Sequence, residues 1–160
     1  MSNWPGDSAV FPLCTTLLKQ FEGFRSSPYL DSVGIPTIGY GCITYPGGEA
    51  IRIGDPAITE AQGIQFLNYQ LGLKSKVMAP MLQKPASRHQ AAAMLSLTYN
   101  IGTGAFGSSS VLRKFNAGDT AGAADAFLMW DKGHVDGQAV VIAGLHNRRV
   151  AERTVFLTHD

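Results

Sequence analysis

Phe21-Glu-Gly-Phe-Arg-Ser-Ser-Pro-Tyr-Leu-Asp-Ser-Val-Gly-Ile-Pro-Thr-Ile-Gly-Tyr-Gly41 is the stretch on which the fold turns. Before it, Leu17, Leu18 and Phe21 repeat at helical spacing from about Thr15, and Gly23 is a predicted C-cap. Within and after it the texture changes. Pro28, Gly34, Pro36, Gly39, Gly41, Pro46, Gly47, Gly48, Gly54 and Pro56 break the chain into short pieces. Runs such as Ile35-Pro-Thr-Ile-Gly-Tyr40 and Ala50-Ile-Arg-Ile53 lie between these breaks, the pattern of a small antiparallel sheet with tight turns.

Downstream the pattern is helical. Thr59-Glu-Ala-Gln62 is a capping box that opens a helix expected to reach about Val77, before Pro80. Ser87-Arg-His-Gln90 is a second box, ahead of an apolar run that stops near Gly102. Further helices fit Ser109–Asn116, the segment after Asp119, and about Gly144–Leu157. The segment Gly133-His-Val-Asp-Gly-Gln138 reads as a loop. Residues 1–13, with Pro5, Gly6 and Pro12, read as a loose arm. One helix, a small sheet and then helices make an α+β protein. Its β-rich lobe is expected at about 24–58. The helical lobe is expected at about 80–160 plus the first helix. A long helix joins the two, and a cleft between them is a natural ligand site. Residues 14–160 form a single domain on this reading.

Composition narrows the function classes. The chain has 160 residues, 45% hydrophobic and 16% charged, with a formal net charge of +1. That is globular, and too weakly basic for a nucleic-acid binder. Cys14 and Cys42 match no metal-ligand spacing and are expected as free thiols. His89, His134, His146 and His159 show no zinc pattern, and no Gly-x-Ser-x-Gly element is present. Neither a cofactor nor a metal is expected. The N-terminus has no basic start or apolar run, so no signal peptide is read. No window approaches the roughly 18 apolar residues of a membrane span.

Glu22 and Asp31 are the only acidic residues between Asp7 and Glu49. Glu22 stands at a predicted helix end between Phe21 and Phe24, where the helix dipole and apolar neighbours disfavour negative charge. Asp31 stands in a polar turn with backbone donors at hand. Two carboxylates in contrasting settings suit an acid and a charge-bearing partner. A surface residue and a turn residue would present the same two positions.

The whole stretch resembles the bacteriophage-type lysozymes, the endolysins of tailed phages. That family's pattern is Glu, eight residues, Asp, five residues, Thr, then Ile-Gly-Tyr-Gly, and Glu22, Asp31 and Thr37 fall on it without a gap. Tyr99–Phe106, Ser109–Asn116, Trp130 and Gly144–Glu152 extend the likeness, from about Leu17 to Phe156. The resemblance implies hydrolysis of the β-1,4 bond between N-acetylmuramic acid and N-acetylglucosamine. Glu22 would be the general acid; Asp31 would orient or activate the attacking water, or stabilise positive charge at the sugar; and Thr37 would hydrogen-bond that water, with inversion. It implies that Arg148 lies near the catalytic Glu; a solvated Arg148–Arg149 pair is the alternative. It implies that Tyr99, Asn100 and Ser109 face substrate, although Asn at a helix end is also a common cap. Gly39 and Gly41 serve either close approach to a sugar or turn geometry. Cys42 either borders the cleft or is a small buried side chain, and Phe106 and Trp130 are expected in the core. Two other readings compete: a lytic transglycosylase, which needs no water-positioning Asp and Thr, and a silent wall-binding module. On the endolysin reading the protein is a monomer that waits in the host cytoplasm. It reaches the periplasm and the peptidoglycan of the wall once a holin has permeabilised the membrane.

Overall fold

A computed structural model describes residues 2–160; Met1 of the expected arm lies outside them. The chain forms two units. One holds the N-terminal residues through Leu17 together with Lys74–Asp160, and the other is Leu18–Leu73. The fold is α+β, with α-helices and small antiparallel strand pairs.

In the unit Leu18–Leu73, strand β1 (Arg25–Leu30) pairs antiparallel with β2 (Pro36–Gly39), setting Tyr29 opposite Thr37 and Leu30 opposite Pro36. A tight reversal follows. Ile38 N–H donates to Cys42 O at 2.8 Å, and Cys42 N–H returns to Ile38 O at 2.9 Å. Gly39 and Gly41 have φ of 66° and 85° inside that reversal, where a side chain would be strained. Gly39 is buried, so of the two readings of these glycines turn geometry is the one with a visible cause. Helix α2 (Glu60–Met78) then leaves this unit and carries the chain into the other. Its expected capping box is formed. Thr59 N–H donates to Gln62 Oε1 at 2.9 Å, and Gln62 N–H donates to Thr59 Oγ1 at 3.2 Å.

The other unit is a helical core. Helix α3 (Arg88–Ile101) is buried without a break from Ala91 to Thr98, so it is wrapped on all sides. The Ser87–Gln90 box caps it. Helices α4 (Thr103–Gly107), α5 (Ser110–Asn116) and α6 (Thr120–Ala126) follow, then a 3-10 turn, Phe127–Trp130. Helix α7 (Ala143–Leu157) packs on α3 and places Phe156 against Phe127 and Phe115, ring centroids 5.4 and 6.4 Å apart. Phe106 is fully buried, as expected, and Trp130 is half-buried.

Three expectations need correction. The first helix, α1, spans Asp7–Lys19, so residues 7–13 are helical rather than loose. Its buried residues Val10, Cys14, Leu17 and Leu18 form one stripe that runs straight past Pro12. Packing along that stripe outweighs the hydrogen bond the proline removes. Gly23 is not the C-cap, for it lacks a positive φ; the helix closes when Glu22 N–H donates to Leu18 O at 2.8 Å. Residues 132–141 are not a loop. They form a hairpin of β3 (Lys132–Val135) and β4 (Gln138–Val141), turned by Asp136 and Gly137 at φ of 52° and 78°. No helix among the described residues is long and apolar enough to cross a membrane.

Candidate active site

The hairpin β1–β2 carries two of the three expected catalytic residues. Asp31 follows the last residue of β1, and its backbone N–H donates to Ile35 O at 3.0 Å. Its side chain turns back on the same loop. Oδ1 accepts from Val33 N–H and Ile35 N–H, both at 2.9 Å. Oδ2 has no hydrogen-bond partner among the described residues. The expected backbone donors are therefore present, and they fill one oxygen of the pair.

Thr37 is buried on β2, and its hydroxyl donates to Ile35 O at 2.9 Å. The proton of that hydroxyl is thus engaged, leaving the oxygen able to accept. One peptide residue, Ile35, links the two side chains: its N–H goes to Asp31 and its carbonyl receives Thr37. Register puts Thr37 opposite Tyr29, and two-residue alternation returns Asp31 to the face of Tyr29.

Tyr29 ties Glu22 to this face. Its phenol is pushed up, first by burial and then by the Glu22 carboxylate, with Arg25 opposing and Asp31 and Cys42 adding. The Arg25 guanidinium stacks on the Tyr29 ring at 4.3 Å. Both carboxylates therefore act on one phenol. Glu22 is half-buried, one turn beyond the last helical residue of α1. Cys42 is buried, 1% exposed, and the alternative of a small interior side chain fits it. Both cysteines are free thiols, as expected.

The remaining expected residues lie in the helical unit. Tyr99 is half-buried with Lys74 Nζ 5.7 Å from its ring centroid, and Asn100 is exposed near the end of α3. Ser109 is buried, and its hydroxyl is engaged on both sides. It donates to Phe106 O at 2.7 Å and accepts from Leu112 N–H at 3.2 Å, capping α5. Arg148 is buried rather than solvated, and so is Arg149.

Sequence reasoning missed what holds these arginines. Glu152, fully buried, sits 2.7 Å from Arg149 Nε and 3.5 Å from Arg148 Nε, and Ser96 Oγ donates to its Oε2 at 2.6 Å. Burial pushes the Glu152 carboxyl up more strongly than these partners pull it down. It likewise pushes up the Cys14 thiol, with Glu152 adding to the effect. The signal was the spacing of Arg148 and Arg149 to Glu152, four and three residues along one helix face.

The family profile described as phage lysozyme matches residues 19–152, the segment that carries both the hairpin and this cluster. The chain belongs to the phage lysozyme family. Among its relatives, the endolysin of Salmonella phage P22 is 36% identical over 89% of this chain and 94% of its own length. The endolysin of Acyrthosiphon pisum secondary endosymbiont phage 1 is 35% identical over 88% and 92%. The solved endolysin from Escherichia coli O157:H7 phage FAHEc1 superposes with a TM-score of 0.84. It is 35% identical, and the match covers 91% of this lysozyme-family chain and 90% of that one. The muramidase domain of SpmX from Asticaccaulis excentricus gives a TM-score of 0.79 at 33% identity over 91% and 95%. The lysozyme-like α+β fold expected from the sequence is therefore the fold of this family member.

Proposed function

We propose that this phage lysozyme family member is an endolysin that hydrolyses peptidoglycan at the β-1,4 bond between N-acetylmuramic acid and N-acetylglucosamine. The observation that carries the reading is the Asp31–Ile35–Thr37 arrangement on the hairpin, in a family member whose Glu22 precedes it at the family's spacing. Glu22 gives its proton to the leaving glycosidic oxygen as the bond to the anomeric carbon breaks. A water molecule donates one hydrogen to the open Oδ2 of Asp31 and the other to Thr37 Oγ1. Its lone pair is then aimed at the anomeric carbon from the opposite face, and the configuration inverts. Asp31 takes the proton that the water loses. The two backbone amides on Oδ1 hold the carboxylate in position, leaving Oδ2 toward the water.

Tyr99 and Asn100 contact the sugars on this reading, and Ser109 supports them by fixing the start of α5. Arg148 is, on the family pattern, the cation that supports the catalytic acid. The protein acts as a monomer and reaches the wall when a holin opens the membrane.

Turbidity loss on permeabilised Gram-negative cells, with mass spectrometry of the released fragments, tests the proposal. Wild type releases hydrolysed reducing ends, and Glu22→Gln slows release by about 10²–10⁴-fold. Anhydro-muramic ends would establish the transglycosylase instead. Equal lysis by Glu22→Gln would remove Glu22 as the acid, and no lysis by wild type would leave a wall-binding module.

A further inference from the structure

Glu22 stands in a stretch, residues 20–24, that belongs to neither helix nor strand. Within the unit Leu18–Leu73, the groups that hold this stretch at its two ends decide where the Glu22 carboxyl lies. Ahead of it, Lys19 is the last residue of α1 and reaches Glu60, the first residue of α2, with Nζ 3.2 Å from Oε1. At its far end the Phe24 ring rests on Tyr40, with centroids 5.3 Å apart and planes tilted by 46°. Ser26 O then accepts from Ile58 N–H at 2.9 Å, just ahead of α2.

Tyr40 joins the two ends. It is buried, and its hydroxyl donates to the same Oε1 of Glu60 at 2.9 Å. Lys19 Nζ lies 5.9 Å from its ring centroid. One carboxylate oxygen thus gathers a cation from α1 and a phenol from the reversal that follows β2. The Tyr40 hydroxyl and then Lys19 hold the Glu60 carboxyl below the usual carboxylate range, which keeps it an acceptor at neutral pH. Tyr40 follows Thr37 on one hairpin, so these contacts tie the segment of Glu22 to the strand of Thr37.

Energetics separates two roles for this cluster. The Lys19 and Glu60 side chains are 41% and 57% exposed, and an ion pair so open to water adds little to stability. Reaction rate is far more sensitive to geometry, since misplacing a reacting group by about 1 Å costs about 10²-fold. We propose that Lys19, Tyr40 and Glu60 are positioning residues for Glu22, acting through the backbone of residues 20–24. The proposal rests on the reading of Glu22 as the general acid and names the side chains that place it.

The test compares wild type with Tyr40→Phe, Lys19→Met and Lys19→Arg on purified peptidoglycan, with melting curves giving the folded fraction of each. Tyr40→Phe keeps the ring on Phe24 and removes only the hydroxyl. The kcat per folded molecule falls about tenfold in Tyr40→Phe and in Lys19→Met, with KM changed by less than about twofold, and Lys19→Arg recovers most of the loss. The double variant falls no further than either single one, because both act through Glu60. An unchanged kcat in both Tyr40→Phe and Lys19→Met overturns the proposal, as does a change in KM alone. A second measurement stands apart from catalysis: hydrogen exchange at the Glu22 amide, which donates to Leu18 O at 2.8 Å. Exchange there speeds up about tenfold in Tyr40→Phe while the amides of α3 keep their wild-type rates. That result supports the positioning role even if wild type releases no reducing ends, which would sink only the assignment of Glu22 as the acid. Exchange at Glu22 that is equal in wild type and both variants overturns the role.

Discussion

Glu152 meets two arginines and a serine inside the helical unit, where all four side chains are buried. Such a cluster is costly to assemble, because every ion in it has been desolvated. It is costlier to leave half-made. Glu152→Ala strands the Arg149 guanidinium in a buried site and is expected to cost about 3–5 kcal/mol in urea unfolding. A loss under 1 kcal/mol would mean that water enters and resolvates the arginines. The sequence displays the charges of Arg148, Arg149 and Glu152 but not their burial, so a solvated pair was an equal reading. Asp31 was legible for the opposite reason. The turn Asp31-Ser-Val-Gly34 offers its own backbone N–H groups to the side chain, so sequence alone supplies the partners.

Helix α2 pays for close packing with a glycine. A Cβ at Gly63 would lie 2.7 Å from Phe24 Cε2, and the Gly63 Cα is 3.6 Å from where a Cβ on Gly39 would stand. Gly63→Ala gains about 1 kcal/mol of helix propensity but overpacks the site at about 1–3 kcal/mol. The expected net result is a lower melting temperature. A raised one would mean that the Phe24 ring swings aside freely. The boundaries of α2 and α3 were readable because their capping boxes are local. The start of α1 was not: Pro12 argues against a helix locally, and only burial of Val10 and Cys14 overrides it. The hairpin at residues 132–141 carried a readable turn signal in Asp136-Gly137. Its strands are largely exposed and lack the inside-outside alternation that marks a half-buried strand.

At the scale of the molecule, the last residue is tied to a helix start far away in sequence. Asp160 accepts from Arg88 N–H at 2.9 Å and His89 N–H at 3.3 Å, and lies 2.6 Å from His89 Nδ1. The His89 contact, then the Arg88 amide, hold its carboxyl down at about 2. The stability this gives is complete above the ordinary carboxylate value of about 4. It is lost as pH falls toward 2. Asp160→Asn should therefore lower the urea midpoint at pH 6 and converge with wild type near pH 2. A gap that persists at low pH would refute the tie as electrostatic. The family and the α+β class were legible from one stretch, Phe21–Gly41. The unit that holds α1 through Leu17 also needs Lys74–Asp160, whereas Leu18–Leu73 forms an uninterrupted segment. During translation, every residue of Leu18–Leu73 is in place before the other unit is complete. Val10 and Cys14 belong to the unit whose remaining residues, from Lys74 onward, are made later.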